Sequence, residues 1–334
     1  MASSYKKIYK ATAVSPANIA FIKFWGKKNP KRNIPFNDSI SMNLSNCITT
    51  TTVEFNPRFR SDRVILDGRE LKDEKKFRVL KMIDLVREKS NIPWGVKVES
   101  KNNFPSDAGI ASSASGFSAL ALSASVAAGL NLSLKELSIL ARFGSGSASR
   151  SVIDGFAQWN KGKNSNSSYA IQIAPPEHWD VRDIVVVVEA EKKKKSSTEG
   201  HTVAPKNPFF TVRQKLLSKR IRNIKNALLK KNFKKFGELL EEEAIELHII
   251  AMTSKPPIFY WNKGTIEVIN KVREIREKGI LAYFTMDAGP NVHVICIAKD
   301  AKILNRKLRR IPEILFTIIN KPSVGTHLLK KHLF

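Results

Sequence analysis

The chain has 334 residues, with 57 Lys+Arg against 30 Asp+Glu and two cysteines. That length suits one large or two ordinary domains, and 42% hydrophobic with 26% charged residues excludes a disordered chain. No apolar run approaches the roughly 18–20 residues of a membrane span, while a net charge of +27 raises a nucleic-acid reading that the motifs must test.

The N-terminal segment MASSYKKIYKATAVSPANIAF has no continuous apolar signal core and runs straight into strand-like sequence. Residues 48–55 (ITTTTVEF) and 94–100 (WGVKVES) carry the β-branched and aromatic enrichment of strands. Between them, residues 73–89 space Phe77, Leu80, Ile83 and Val86 at helical intervals, with Asp73 as N-cap. Residues 115–129 predict a helix closed by Gly129, and 134–142 a second one. After Pro175-Pro176, the run 184–188 (IVVVV) predicts a fully buried strand, followed by Lys192–Lys195 and SSTEG as a solvated loop. Long helical patterns dominate from about 207 to 249. Beyond Pro256-Pro257 come a helix at 263–278, strands at 280–286 and 292–298, and a helix near 301–310. The change of character in 191–206 suggests a domain division, drawn as 1–194 and 195–334. Helices and strands mix in each half, which indicates an α+β architecture.

Four segments carry candidate chemistry. Residues 105–116 (PSDAGIASSASG) form a small-residue loop running into a helix. Small side chains let backbone approach an anion, and a helix start aims free N–H groups at it. No GK[ST] follows, so this is not a Walker A loop, and a plain helix start is the bland alternative. Residues 144–150 (GSGSASR) combine three hydroxyls, two glycines and an arginine, a cradle for phosphate or carboxylate; a flexible turn with a surface Arg is the alternative. Asp287, in MDAGPN between two apolar strands, is either a turn former or a carboxylate presented from a rigid strand. Lys23 lies in an apolar stretch, ANIAFIKFWGKK, and either snorkels outward or stays buried beside an anion. The six histidines show no metal spacing, and His248 reads as a helix residue rather than a ligand. Cys47 and Cys296 match no zinc or redox spacing and read as structural, so a reducing cytoplasm is expected.

Seven stretches in order, NIAFIKFWGKK, NIPFNDSISMNLS, NNFPSDAGIASSASGF, GSGSASRSVIDGFAQW, SSTEG, PPIFY and FTMDAGPN, resemble the diphosphomevalonate decarboxylase family. That family belongs to the galactokinase, homoserine kinase and mevalonate kinase superfamily, and the resemblance spans residues 18–291. It implies an N-terminal domain like ribosomal protein S5 domain 2, a ferredoxin-like C-terminal domain, and an active-site cleft between them. The implied reaction is ATP-dependent: mevalonate 5-diphosphate is phosphorylated on its tertiary hydroxyl, then loses phosphate and carbon dioxide to give isopentenyl diphosphate. Asp287 would be the catalytic aspartate, Lys23 the active-site lysine, and Arg150 the holder of the substrate carboxylate. Phe24, Trp25, Gly26, Lys27, Lys75, Ser145, Gly146, Ser147, Ala148, Ser149 and Thr198 would line the substrate. Ser106, Ala108, Gly109, Ala111, Ser112 and Ser113 would meet the ATP phosphates, and Lys192 and Lys193 would lie in a loop associated with ATP. The triphosphate implies Mg²⁺, with no dedicated protein cage and no metal ligand assigned. The relatives are often dimers, so a cytoplasmic homodimer is expected.

The chain also departs from the family pattern. Phe24 stands where a tyrosine hydroxyl commonly contacts phosphate, Lys75 where an arginine grips the diphosphate, Asp38 where a serine is usual, and Ser149 where a cysteine is usual. These changes raise an alternative substrate, mevalonate 5-phosphate. A relative that phosphorylates without decarboxylating is disfavoured because Asp287, Lys23 and Arg150 are all present. A basic nucleic-acid-binding protein is the alternative of a different class. It predicts basic residues interleaved with exposed aromatics, or an RNA- or DNA-binding motif, and neither is present.

Overall fold

The computed structural model describes residues 9–105, 112–189 and 197–334. The first half runs through β1 (Lys10–Ile22), the short β2 (Lys27–Asn29) and β3 (Ile34–Pro35), β4 (Ser39–Asn56), β5 (Arg63–Leu66), β6 (Arg69–Glu70), α1 (Asp73–Ser90), β7 (Gly95–Asn102) and α2 (Ser112–Ala127). It continues with α3 (Leu134–Gly144), the single turn α4 (Ala148–Ser151), β8 (Phe156–Trp159) and β9 (Ala170–Ala174). The second half comprises β10 (Val181–Val187), α5 (Ser197–Val203), α6 (Pro208–Leu229), α7 (Phe233–Met252), α8 (Lys263–Glu277), β11 (Ala282–Thr285), β12 (Val292–Ile297), α9 (Ala301–Leu308), β13 (Phe316–Asn320) and β14 (His327–Leu329).

The Thr-rich run is the second half of β4, an 18-residue strand that organises the first sheet. One edge of β4 pairs along β1; its other edge pairs with β8 at Ser39–Met42 and with β7 at Thr49–Asn56. The β1 register shifts between Pro16 and Asn18, where Pro16 lacks an N–H for the ladder, and again between Ala20 and Ile22. Helices α1, α2 and α3 cover one face of this sheet, burying Met82, Ile83 and Val86 with Phe117, Leu120 and Leu140.

The second sheet is antiparallel in the order β11-β12-β10-β13. The IVVVV run lies in β10, whose two faces are both buried as its composition predicts. Val185 and Val187 face α6 and α7, whereas Ile184 and Val186 face α8 and α9. Strand β10 precedes the expected division at residue 194 yet pairs in the second sheet, and β14 returns to pair with β1. The two lobes share apolar core: Phe21 of β1 meets Phe236 of α7 edge-on at 4.9 Å. The architecture is α+β, as expected. No helix among the described residues is long and apolar enough to cross a membrane.

Three local expectations need correction. Lys72, not Asp73, occupies the N-cap of α1, and Asp73 is already helical. Phe77 is 67% exposed, because the buried stripe of α1 begins one turn later, at Met82 and Ile83. Most of SSTEG is not a loop: Ser197 to Gly200 form the first turn of α5, and Gly200 lies against Trp25, where a Cβ would stand 2.2 Å from the indole. The lysine run 192–195 lies outside the described residues.

Candidate active site

Lys23 leaves the end of β1 and Asp287 follows β11, so one residue comes from each lobe. Lys23 is 1% exposed, and its Nζ donates to Asp287 Oδ1 at 2.8 Å and to Ala20 O at 2.7 Å. Of the two sequence readings, the buried lysine beside an anion is the one observed. Burial lowers the Lys23 ammonium below its usual range, with Asp287 opposing the shift. Burial raises the Asp287 carboxyl, but the Lys23 charge and hydrogen bond, then His293 and Arg150, outweigh it. The carboxyl therefore lies below its ordinary value and stays ionised. Asp287 is the open member of the pair, with a quarter of its side chain exposed.

Arg150 is no surface residue. It sits on α4, 2% exposed, donating from Nε to Ser41 Oγ (2.9 Å), from Nη1 to Ser39 Oγ (2.5 Å) and from Nη2 to Asn18 Oδ1 (3.0 Å). Asn18 in turn donates to Ser151 Oγ and to the Ser147 carbonyl. Burial pulls the guanidinium down to about 10, with Asp287 opposing, so it remains charged near neutral pH. All three acceptors are neutral. They fix the orientation of the guanidinium without neutralising it, which leaves its charge for an arriving anion.

The two small-residue loops meet. Ser113 Oγ, in the first turn of α2, lies 3.1 Å from Ser145 Oγ, and Ser145 Oγ lies 3.2 Å from Ser147 Oγ. Gly146 lets this loop press on Phe24, since a Cβ there would stand 2.5 Å from the ring. Ala148 and Ser149 are fully buried, with Ser149 Oγ donating to Gly146 O at 2.7 Å, so both shape the loop rather than face its opening. Trp25 is buried in the core that joins α5, α6 and α7. Thr198 is exposed on the first turn of α5. The Asp38 carboxylate is held by Gln158 Nε2 and the Lys161 N–H, at 3.0 and 2.8 Å.

A cavity of about 150 Å³ opens beside Ser112 and Ser113, lined also by Lys75, Arg78, Val64 and Leu120. Lys75 thus belongs to the cavity at the start of α2. Ser106, Ala108, Gly109, Ala111, Lys192 and Lys193 lie outside the described residues.

Sequence reasoning missed several groups. Arg78, one helical turn beyond Lys75, donates to Gly144 O at 3.1 Å. Burial and Arg78 together lower Lys27 to about 8. His201 accepts from the Gly26 N–H at 3.1 Å, and its ring lies 4.2 Å from Phe24 and 5.0 Å from Trp25. The i+3 spacing of Lys75 and Arg78 was a signal for a shared helix face; nothing local marked His201. His248 is a core residue, 1% exposed between Tyr260 and Trp261 and pushed down to about 3 by burial. Cys47 and Cys296 are free and buried, their thiols pushed up to about 12 by burial. Among the described residues no cluster of three His, Cys, Asp or Glu side chains could hold a metal.

These residues together offer an ionised carboxylate pinned to a lysine, an oriented unneutralised guanidinium, and a string of hydroxyls beside two further cations. Residues 15–170 match the model of the diphosphomevalonate decarboxylase-like N-terminal domain, and residues 183–320 that of the mevalonate 5-diphosphate decarboxylase C-terminal domain. The chain is 37% identical over 304 residues to the diphosphomevalonate decarboxylase of Debaryomyces hansenii, covering 85% of this chain and 78% of that protein. It superposes on the mevalonate diphosphate decarboxylase of Staphylococcus aureus with a TM-score of 0.91, at 36% identity, covering 96% of this chain and 98% of that one. It also superposes on MDDEF in complex with MVAPP, AMPPCP and magnesium, with a TM-score of 0.90 at 36% identity over 96% of this chain and 99% of that one.

Proposed function

The chain belongs to the diphosphomevalonate decarboxylase family, and on that premise we propose that Asp287, Lys23 and Arg150 carry its reaction. The enzyme uses ATP and Mg²⁺ to convert mevalonate 5-diphosphate to isopentenyl diphosphate, releasing ADP, phosphate and carbon dioxide. The observation that carries the residue assignment is the 2.8 Å contact between Lys23 Nζ and Asp287 Oδ1, with Arg150 held close enough to depress the same carboxyl.

A carboxylate held below its ordinary range is a weak base and a good fixed anion. Asp287 therefore acts mainly after phosphorylation, when phosphate leaves with the C–O electron pair and builds positive charge at the tertiary carbon. The electron pair released as carbon dioxide departs then neutralises that charge and forms the double bond. Before that it accepts the hydrogen bond of the 3-hydroxyl and orients the attacking oxygen. Lys23 keeps it ionised. Arg150, aimed by Ser39, Ser41 and Asn18, takes the substrate carboxylate and fixes the angle of the breaking carbon–carbon bond. Ser145 and Ser147 contact the mevalonate moiety, Lys27 and Lys75 its phosphate end, and Ser112 and Ser113 the nucleotide. Bound together with the triphosphate, Mg²⁺ would supply neutralisation of the phosphate charge.

Two lobes with the cleft between them make the domain division functional: Lys23, Arg150 and the serines come from one, Asp287 from the other. We read the exposed row Phe209, Val212 and Leu216 on α6, beside Ile249 on α7, as the contact of a homodimer. The two free cysteines fit a cytoplasmic location.

The test is ADP release measured with mevalonate 5-diphosphate and mevalonate 5-phosphate in parallel. Rapid release with the diphosphate, accompanied by carbon dioxide, is expected; release with neither substrate would overturn the reading.

A further inference from the structure

We propose that His201 is a substrate-binding residue that donates from Nε2 to the phosphate end of mevalonate 5-diphosphate. The proposal rests on the reading of the cleft given above and adds a residue to it.

The tautomer follows from one contact. The Gly26 N–H donates to His201 Nδ1 at 3.1 Å, and a ring nitrogen that accepts carries no proton, so the neutral ring bears its hydrogen on Nε2. Burial, and then the Lys27 ammonium, hold the ring well below its usual pKa and therefore neutral. Among the described residues, no protein group is hydrogen-bonded to Nε2. His201 as a whole is half-buried, and an N–H with no protein partner among the described residues is suited to a ligand acceptor.

The ring cannot swing away to find another partner. Phe24 lies 4.2 Å from it and Trp25 5.0 Å, and α5 is pressed onto Trp25 through Gly200. The surroundings select the acceptor. Lys27 acts on His201 electrostatically and has no ion pair among the described residues, while Arg78 lies close enough to lower Lys27 further. The Lys27 ammonium beside a neutral N–H donor suits an anionic phosphate oxygen. Phe24 offers only a ring here, so His201 supplies the neutral donor at this end of the site. The carboxylate end belongs to Arg150.

The experiment uses the full-length enzyme and separates KM for mevalonate 5-diphosphate from KM for ATP. His201→Leu should raise the first about tenfold or more, the loss expected for one hydrogen bond to a charged acceptor, and leave the second within about twofold. Inorganic pyrophosphate, a probe of the phosphate end alone, should lose inhibition by a similar factor. His201→Gln keeps an N–H donor and should recover most of the affinity. An unchanged KM and unchanged pyrophosphate inhibition in the leucine variant would overturn the proposal. Should that variant fail to fold, the wild-type enzyme labelled with ¹⁵N-histidine decides the matter. Pyrophosphate should shift the His201 Nε2 resonance, and no shift overturns the assignment. Failure of the functional reading looks different, because the wild-type enzyme would then release no ADP with mevalonate 5-diphosphate.

Discussion

The Lys23 backbone N–H donates to Glu243 Oε1 at 2.9 Å across a sequence separation of 220 residues. Glu243, on α7, is completely buried and also accepts from Arg213 and Arg220. On the other side of Lys23, its carbonyl accepts from Asn37 Nδ2 at 3.0 Å. Both peptide groups of Lys23 are thus held, the N–H by Glu243 of the second lobe and the carbonyl by Asn37 of the first and Arg213 of the second. Reach from Lys23 Nζ to Asp287 depends on this double anchor.

Removing Glu243 tests the anchor. Glu243→Ala leaves the buried Arg213 guanidinium without its carboxylate, a change that costs about 3–5 kcal/mol in comparable pairs. Denaturant unfolding should show that loss, and kcat should fall in the fraction that remains folded. A variant as stable as wild type with full kcat would show that the Glu243 contacts neither stabilise the fold nor position Lys23.

Asp287→Asn keeps the shape and removes the charge. Turnover should vanish, because an amide cannot offset positive charge at the tertiary carbon, while ATP affinity stays within a few-fold of wild type. Lys23 loses its strongest ion partner in this variant, and since burial already lowers its ammonium, its pKa should fall further. Calorimetric nucleotide titration alongside the ADP assay separates the two effects. Near-normal turnover would remove Asp287 from the mechanism.

The Lys27 ammonium gives a prediction on the alkaline side. Burial and Arg78 bring it down to about 8, so in the free enzyme it loses its proton as pH rises through that value. With Lys27 assigned as proposed to the phosphate end of the substrate, its deprotonation would remove a positive charge there, and kcat/KM for mevalonate 5-diphosphate should fall above pH about 8. Bound diphosphate favours the charged form, so kcat should hold to higher pH than kcat/KM. Lys27→Arg, which remains protonated, should abolish the alkaline fall in kcat/KM. An identical limb in that variant would assign the titration to another group.

How much of this was legible depended on whether the signal was local. The apolar run in β10, the Gly129 helix end and the small-residue loops are properties of neighbouring residues, and all are visible in the sequence. The start of α3 also had a local signature, the Ser133–Glu136 capping box. Lys23 and Asp287 were each legible as candidates, but their contact was not, because it needs two strands from different sheets to end side by side. The same holds for the cage of Asn18, Ser39 and Ser41 around Arg150, built from β1 and β4. His201 was invisible because its contacts are with Phe24 and Gly26, some 175 residues earlier. Phe77 misled because apolar periodicity marks a helix face without saying where that face leaves the core.

Gly146→Ala probes a crowded point of the site. The new methyl would stand 2.5 Å from Phe24 Cε1 and 2.9 Å from Trp159 Cη2, closer than carbon atoms approach. Phe24 has little room to rotate clear, since Trp159 lies 4.8 Å and His201 4.2 Å from its ring. The loop must therefore move, and Ser145 and Ser147 move with it, away from Ser113. Overpacking of this kind costs about 1–3 kcal/mol in stability, and a displacement near 1 Å can cost about a hundredfold in kcat/KM. A second substitution separates crowding from any intrinsic need for glycine. Phe24→Ala opens the space that the methyl needs, so the double variant should lose less than the sum of the two single losses. Simple additivity in that cycle would show that Gly146 serves backbone conformation rather than clearance for Phe24.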